Sequence, residues 1–135
     1  KKETVEKRTN FTKKNLVKKN SKSTPAVIHK RSGLLFISGV CGWDRDGNIM
    51  HADNVTKQAE LTFENLSAIL EQAGIGFADI IWETEYVGDM RQYRDIARVR
   101  ARYFPDNFPA GALVGASALF KPGQLFEIQA IAALE

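Results

Sequence analysis

At 135 residues, 44% hydrophobic and 26% charged, the chain has the length and composition of one globular domain able to bury a sizeable core. Its longest apolar run, residues 109–120, is shorter than the ~18 residues that a bilayer span needs, so no membrane segment is expected. A single cysteine, Cys41, excludes an internal disulfide, and two histidines with one cysteine offer no metal-ligand spacing.

Charge is unevenly placed. Residues 1–31 carry eleven Lys or Arg against two Glu, whereas residues 32–135 carry eight against fourteen acids, so a net charge of +3 hides a basic arm and an acidic body. Residues 1–24 read as a solvated, flexible arm ahead of one domain at 25–135. Such an arm can meet nucleic acid or an anionic surface, but Phe11 alone interleaves the lysines, and nucleic acid is disfavoured as a partner. No apolar signal-peptide core is visible, and the cytoplasm is the expected location.

Residues 26–30 read as a short extended segment, 31–33 as a turn, and 34–38 as a buried strand ending at Gly39. The segment Trp43-Asp-Arg-Asp-Gly47 has turn chemistry, with Asp46-Gly47 tolerating positive φ. From Asp53 the apolar period becomes helical, through Val55, Ala59, Thr62, Leu66, Ile69 and Ala73, with Asp53 or Asn54 as N-cap and Gly74 as the C-terminal cap. Residues 80–87 have strand composition. Asp89, with Gln92 three residues on, predicts a capping box for a second helix that buries Tyr93, Ile96, Ala97 and Tyr103 and stops before Pro105. Residues 109–120 and 125–132, joined by a Lys-Pro-Gly turn, are too apolar for strands that show a face to water.

The order β-β-α-β-α-β-β predicts an α+β fold, one mixed sheet with two helices on one face. The other apolar face then needs a partner subunit, and a closed homo-oligomer with small-molecule clefts between subunits is expected.

Glu127 stands alone as an acid inside the last apolar strand. A desolvated carboxylate must be paired, hydrogen-bonded or protonated, which makes Glu127 a candidate acid, base or water-orienting group. A structural bond to a neighbouring strand or subunit is the other reading. Cys41 and Trp43 follow Gly39 and are expected near the cleft rim. No histidine is spaced to activate the thiol, and Trp43 can either stack on a ligand or plug the core. Arg91, Arg94, Arg98 and Arg102 fall on one helical stripe, read as solvated.

The elements Phe36-Ile-Ser-Gly39, Asp46-Gly47, Gln58, Asn65, Leu70 with Ala73-Gly74, Asp79, Thr84, Asp89-Met90 with Tyr93, Phe104, Pro109-Ala110 and Glu127-Ile-Gln-Ala130 together resemble the reactive intermediate deaminase (Rid) family, also known as YjgF or L-PSP endoribonuclease-like. The resemblance runs over about residues 28–133. It implies the chorismate-mutase-like fold, a homotrimer whose sheets form a central barrel, and clefts between adjacent subunits. It also implies cofactor-free hydrolysis of an imine or enamine to a keto acid and ammonia, with Glu127 positioning water and Ser38-Gly39 helping to build the cleft.

In the family an arginine directly after the Pro-Ala pair grips the substrate carboxylate. Here that position is Gly111, followed by Ala112 and Leu113, so the charge-assisted grip is lost and a less anionic or bulkier substrate is expected to meet these three residues. Thr24-Pro25 stands where the family has a tyrosine, and Ala97 where it has an asparagine. The expected activity is hydrolytic deamination of altered specificity. A catalytically silent metabolite-binding or regulatory trimer and an RNA-directed activity are the alternatives.

Overall fold

The computed structural model describes residues 24–135, so all of the basic arm except Thr24 lies outside the described residues. The first helix, α1 (Val55–Gln72), starts where Asn54 Oδ1 accepts a hydrogen bond from Lys57 N at 3.0 Å. It ends at Ala73, after which Gly74 takes φ +72°, a conformation that costs glycine little. Its period buries Val55, Ala59, Phe63, Leu66, Ile69 and Leu70 against the sheet, together with the polar Gln58 and Thr62.

The sheet has five strands, β1 (Ala26–His29), β2 (Leu34–Val40), β3 (Ile80–Val87), β4 (Ala110–Gly115) and β5 (Phe126–Ala133), in the order β1-β2-β5-β3-β4. All neighbours are antiparallel except β3 and β4, which the crossover through α2 (Tyr93–Tyr103) makes parallel. The fold is thus α+β, with both helices on one sheet face, as the order of predicted elements requires.

Three details differ from the sequence reading. Asp89 caps a short 3-10 turn, Met90–Gln92, by accepting from Arg91 N at 3.0 Å, and no capping box forms because Gln92 Oε1 is buried without a hydrogen-bond partner. The buried face of α2 is Ile96 and Val99, with Tyr93 and Tyr103 packed at its margin. Of residues 109–120 only the six of β4 are strand, and within the chain all six are exposed, because β4 is a sheet edge.

Alternation along β5 separates two environments. Phe126, Ile128, Ala130 and Ala132 are buried against the helices, whereas Glu127, Gln129, Ile131 and Ala133 lie on the open face. Cross-strand partners there form an apolar row through all five strands, Val27, Phe36, Ile131, Trp82 and Ala110. Three of these remain well exposed, Val27 at 39%, Phe36 at 43% and Trp82 at 45%. A second row joins Glu127 to Tyr86 and Val114. Among the described residues, no helix is long and apolar enough to cross a membrane, and no group of three or more His, Cys, Asp or Glu side chains is placed to hold a metal ion.

Candidate functional site

Between Ile37 and Val40 the β2–β5 register slips, and this irregularity holds Ser38 and Gly39. The Ser38 hydroxyl donates to the Thr24 carbonyl at 2.6 Å and Ser38 N donates to the Pro25 carbonyl at 2.9 Å, which ties the start of the domain to the bulge. Gly39 faces Glu127 so closely that a Cβ built on it would lie 2.6 Å from Glu127 Oε1. Any larger residue would displace the carboxylate, so the glycine and the glutamate are one structural unit.

Around them is a cavity of about 290 Å³. Its apolar wall comes from Pro25, Val40, Trp43, Ile69 and Phe120, and its polar groups are Thr24, Ser38, Asn65, Gln124 and Glu127. Asn65, on α1, donates through Nδ2 to the carbonyls of Cys41 at 2.9 Å and Trp43 at 3.1 Å, fixing the loop that presents the indole. Gln58, fully buried, accepts from Leu125 N at 2.7 Å and donates to Gly123 O at 2.9 Å and Met50 O at 3.0 Å. It therefore clamps two loops beside the entrance to β5 and sets where Glu127 begins.

Burial pushes the Glu127 carboxyl above its ordinary value, with the Gln124 amide pulling the other way. Gln124 Oε1 accepts from Lys121 N at 3.2 Å, but its Nε2 is buried and makes no hydrogen bond of normal geometry. An amide donor and a carboxylate thus stand together at the cavity with capacity to spare. Such a pair can hold a water molecule or a polar ligand atom.

The structure brings together Ser38, Gly39, Trp43 and Glu127. Cys41 is buried and does not line the cavity. Burial, reinforced by the Glu127 charge and opposed by Lys121, pushes its thiol up to about 12, which leaves a poor nucleophile. Gly111, Ala112 and Leu113 are on β4, separated from β5 by β3, so within one chain they do not meet Glu127. Gly111 instead lies against Glu83, whose carbonyl oxygen would be 1.8 Å from a Cβ at that position.

The family model described as Endoribonuclease L-PSP matches residues 12–134. The chain belongs to the endoribonuclease L-PSP family, the YjgF/Rid family. Among solved structures it is similar to YyfA of Yersinia pestis, described as a protein of unknown function of the conserved Rid family, with 29% identity, 94% of this chain and 98% of that one covered, and a TM-score of 0.82. It is also similar to RidA of an Antarctic Psychrobacter, with 27% identity, 88% and 94% coverage and a TM-score of 0.77. A third likeness is to Rv2704 of Mycobacterium tuberculosis, a member of the YjgF/YER057c/UK114 family, with 27% identity, 87% and 97% coverage and a TM-score of 0.72.

One cluster of this Rid-family chain escaped the sequence reading. Glu83 and Glu85 point from β3 toward the helices, where Arg100 of α2 meets Glu83 Oε1 at 3.0 Å and Glu85 Oε1 at 3.4 Å. The Tyr93 hydroxyl is 3.4 Å from Glu85 Oε2, and the guanidinium lies 5.1 Å from the ring centres of both Phe104 and Phe108. Two buried carboxyls thus share one cation. Burial first, then the Glu83 charge, pushes Glu85 up to about 7 against the pull of Arg100 and Tyr93.

That shift has a sign. As pH rises from about 4.5 to about 7, the unfolded chain releases a proton that folded Glu85 keeps, so stability falls across this window. Urea unfolding at a series of pH values should show that fall in the wild type and a flatter profile in Glu85→Gln. The difference should amount to at most about 3 kcal/mol.

Proposed function

We propose that the Glu127 cavity hydrolyses an imine, an enamine or a related reactive nitrogen intermediate to a carbonyl compound and ammonia. The observation that carries this reading is a half-buried carboxylate, held against Gly39 and beside the Gln124 amide, in a cavity of small-molecule size. Family membership and the resemblance of Glu127-Ile-Gln-Ala130 support it.

In the reaction, the imine enters protonated on nitrogen, and Glu127 accepts a proton from water as the water oxygen bonds to the C=N carbon, whose π electrons pass to the nitrogen to give a neutral carbinolamine. Glu127 then passes its proton to the nitrogen. The C–N bond breaks, its electron pair leaves with ammonia, and the hydroxyl proton is released as the carbonyl forms. Water and imine become carbonyl and ammonia with no redox partner. The chemistry asks for neither metal nor organic cofactor.

The assembly we propose is a homotrimer. Its support is the apolar row Val27, Phe36, Ile131, Trp82 and Ala110, which a single chain leaves on an open face. Glu127 belongs to that same face, so a subunit packed there would close the cavity, and the β4 edge with Gly111, Ala112 and Leu113 would supply its wall from a neighbour. A cytoplasmic location is in keeping with the one free thiol.

The test is ammonia release from imines formed in situ by an amino-acid or amine oxidase. The full-length chain should accelerate release over the spontaneous rate, and Glu127→Gln should lose about 100-fold of that acceleration, the lower range for removal of a positioned acid–base group. Equal rates in the two proteins would remove Glu127 from the chemistry. A catalytically silent metabolite-binding trimer is the second reading, favoured by Gly111, which offers no side-chain donor. It predicts ligand-dependent stabilisation of a protein that never speeds ammonia release. The family's endoribonuclease label suggests an RNA-directed activity as well, but residues 32–135 carry fourteen acids against eight Lys or Arg, a poor match to phosphate.

A further inference from the structure

Among the described residues that line the cavity, one side chain is charged, and it is negative. Among these residues, Glu127 stands with Ser38, Asn65 and Gln124 as the polar groups that offer side-chain hydrogen-bonding atoms beside Thr24, and no Lys or Arg contributes to the wall. The nearest cation in sequence, Lys121 after Phe120, turns its Nζ to the Gly47 carbonyl. Gly111, in the position where an arginine is expected, is pressed against the Glu83 carbonyl and admits no side chain in this backbone geometry.

An anionic ligand would therefore bring a second negative charge into a space of about 290 Å³ that already holds a carboxylate. Like charges disfavour each other there, and the newcomer would lose water without gaining an ion partner. A protonated nitrogen meets the opposite situation. The Glu127 carboxylate can accept its N–H, and the aromatic side chains of Trp43 and Phe120 in the wall, the latter 85% exposed at the rim, favour a cation and an apolar body.

We infer that the cavity selects ligands with a cationic or neutral nitrogen function and no carboxylate, so that its substrates are imines of simple, apolar or aromatic amines and not imines of amino acids. This rests on the hydrolytic reading above for the word substrate, but the charge preference stands without it. The reaction that supplies such a substrate is the two-electron oxidation of a primary amine by a flavin-type oxidase. The product leaving the cavity is an aldehyde or ketone with ammonia.

Two probes that differ by a carboxylate test it. The imine of 2-phenylethylamine is generated by a flavin amine oxidase and that of L-phenylalanine by an L-amino-acid oxidase, and ammonia release is followed with and without the full-length chain. Acceleration should be at least about tenfold greater for the amine-derived imine, as expected when an unpaired, like-charged group is excluded from a site. In parallel, calorimetry compares 2-phenylethylammonium with 3-phenylpropanoate, and the cation should bind at least about tenfold more tightly, with the gap closing in Glu127→Gln.

Faster handling of the amino-acid imine would overturn the inference and leave the hydrolase standing. Cation preference in binding with no acceleration of either imine would overturn the hydrolase and keep the ligand class. Binding of the anion as tight as that of the cation would overturn the inference and place a positive group from a neighbouring subunit or from residues 1–23 in the cavity. Neither binding nor acceleration would overturn both.

Discussion

Replacing Arg100 by methionine is expected to destabilise the folded chain by about 3–5 kcal/mol at neutral pH, the usual cost of removing one partner from a buried ionic cluster. The reason is arithmetic in charge. Glu83 and Glu85 are both buried on the helix side of β3, and Arg100 is the cation that meets them. Without it, both carboxyls must take protons or remain charged in a poorly solvated site, and burial already raises both. The methylene stem of methionine preserves most of the packing between Phe104 and Phe108, so the loss reads charge more than volume. Urea unfolding should show the deficit shrinking as pH falls and both carboxyls become neutral. A companion variant, Glu83→Leu with Glu85→Leu and Arg100→Met, should recover most of the stability, because a fully apolar replacement leaves no orphaned charge. A loss below about 1 kcal/mol for Arg100→Met would show that the cluster is solvated in solution.

This cluster marks where the sequence ceases to be readable. Simple alternation in Ile80-Ile-Trp-Glu-Thr-Glu-Tyr-Val87 cannot bury both Ile80 and Val87, since they are an odd number of positions apart. A register shift between Ile80 and Trp82 resolves the conflict by leaving Ile81 unpaired and exposed, and it carries Glu83, Glu85 and Val87 to the helix face. Nothing local announces that shift. Arg100 was equally hidden, because it falls outside the stripe of Arg91, Arg94, Arg98 and Arg102, of which Arg91, Arg98 and Arg102 do prove well exposed. By contrast, α1 and the core of β5 were plain from their periods. Glu127 was plain because one charge in an apolar strand has few structural excuses. Its surroundings were half legible: Ser38, Gly39 and Trp43 lie close in sequence, but Asn65 arrives from α1 and Phe120 and Gln124 from the loop before β5. A polar Asn65 beside an apolar helical face was the one available signal for the helix side of the cavity.

Gly111→Ala should cost about 3 kcal/mol or more, beyond what one methyl usually costs in a packed site. A Cβ at 111 would fall 1.8 Å from the Glu83 carbonyl oxygen and 2.8 Å from its carbon, so β4 must move away from β3 and give up parallel ladder hydrogen bonds. Gly115, four residues along the same strand and on the same face, supplies the control: there a Cβ would meet only the tip of Met90 at 3.4 Å. Gly115→Ala should change stability by no more than about 0.5 kcal/mol, the range of substitutions that disturb no packed feature. Read from sequence, Gly111 is a missing arginine; read from the fold, it is the residue that lets two strands touch. An arginine introduced there carries the same Cβ and the same cost, so Gly111→Arg should be destabilised at least as much as Gly111→Ala before any ligand is gripped. If instead Gly111→Ala and Gly115→Ala melt together with the wild type, the close β3–β4 approach is not the solution geometry, and the position is open to a side chain after all.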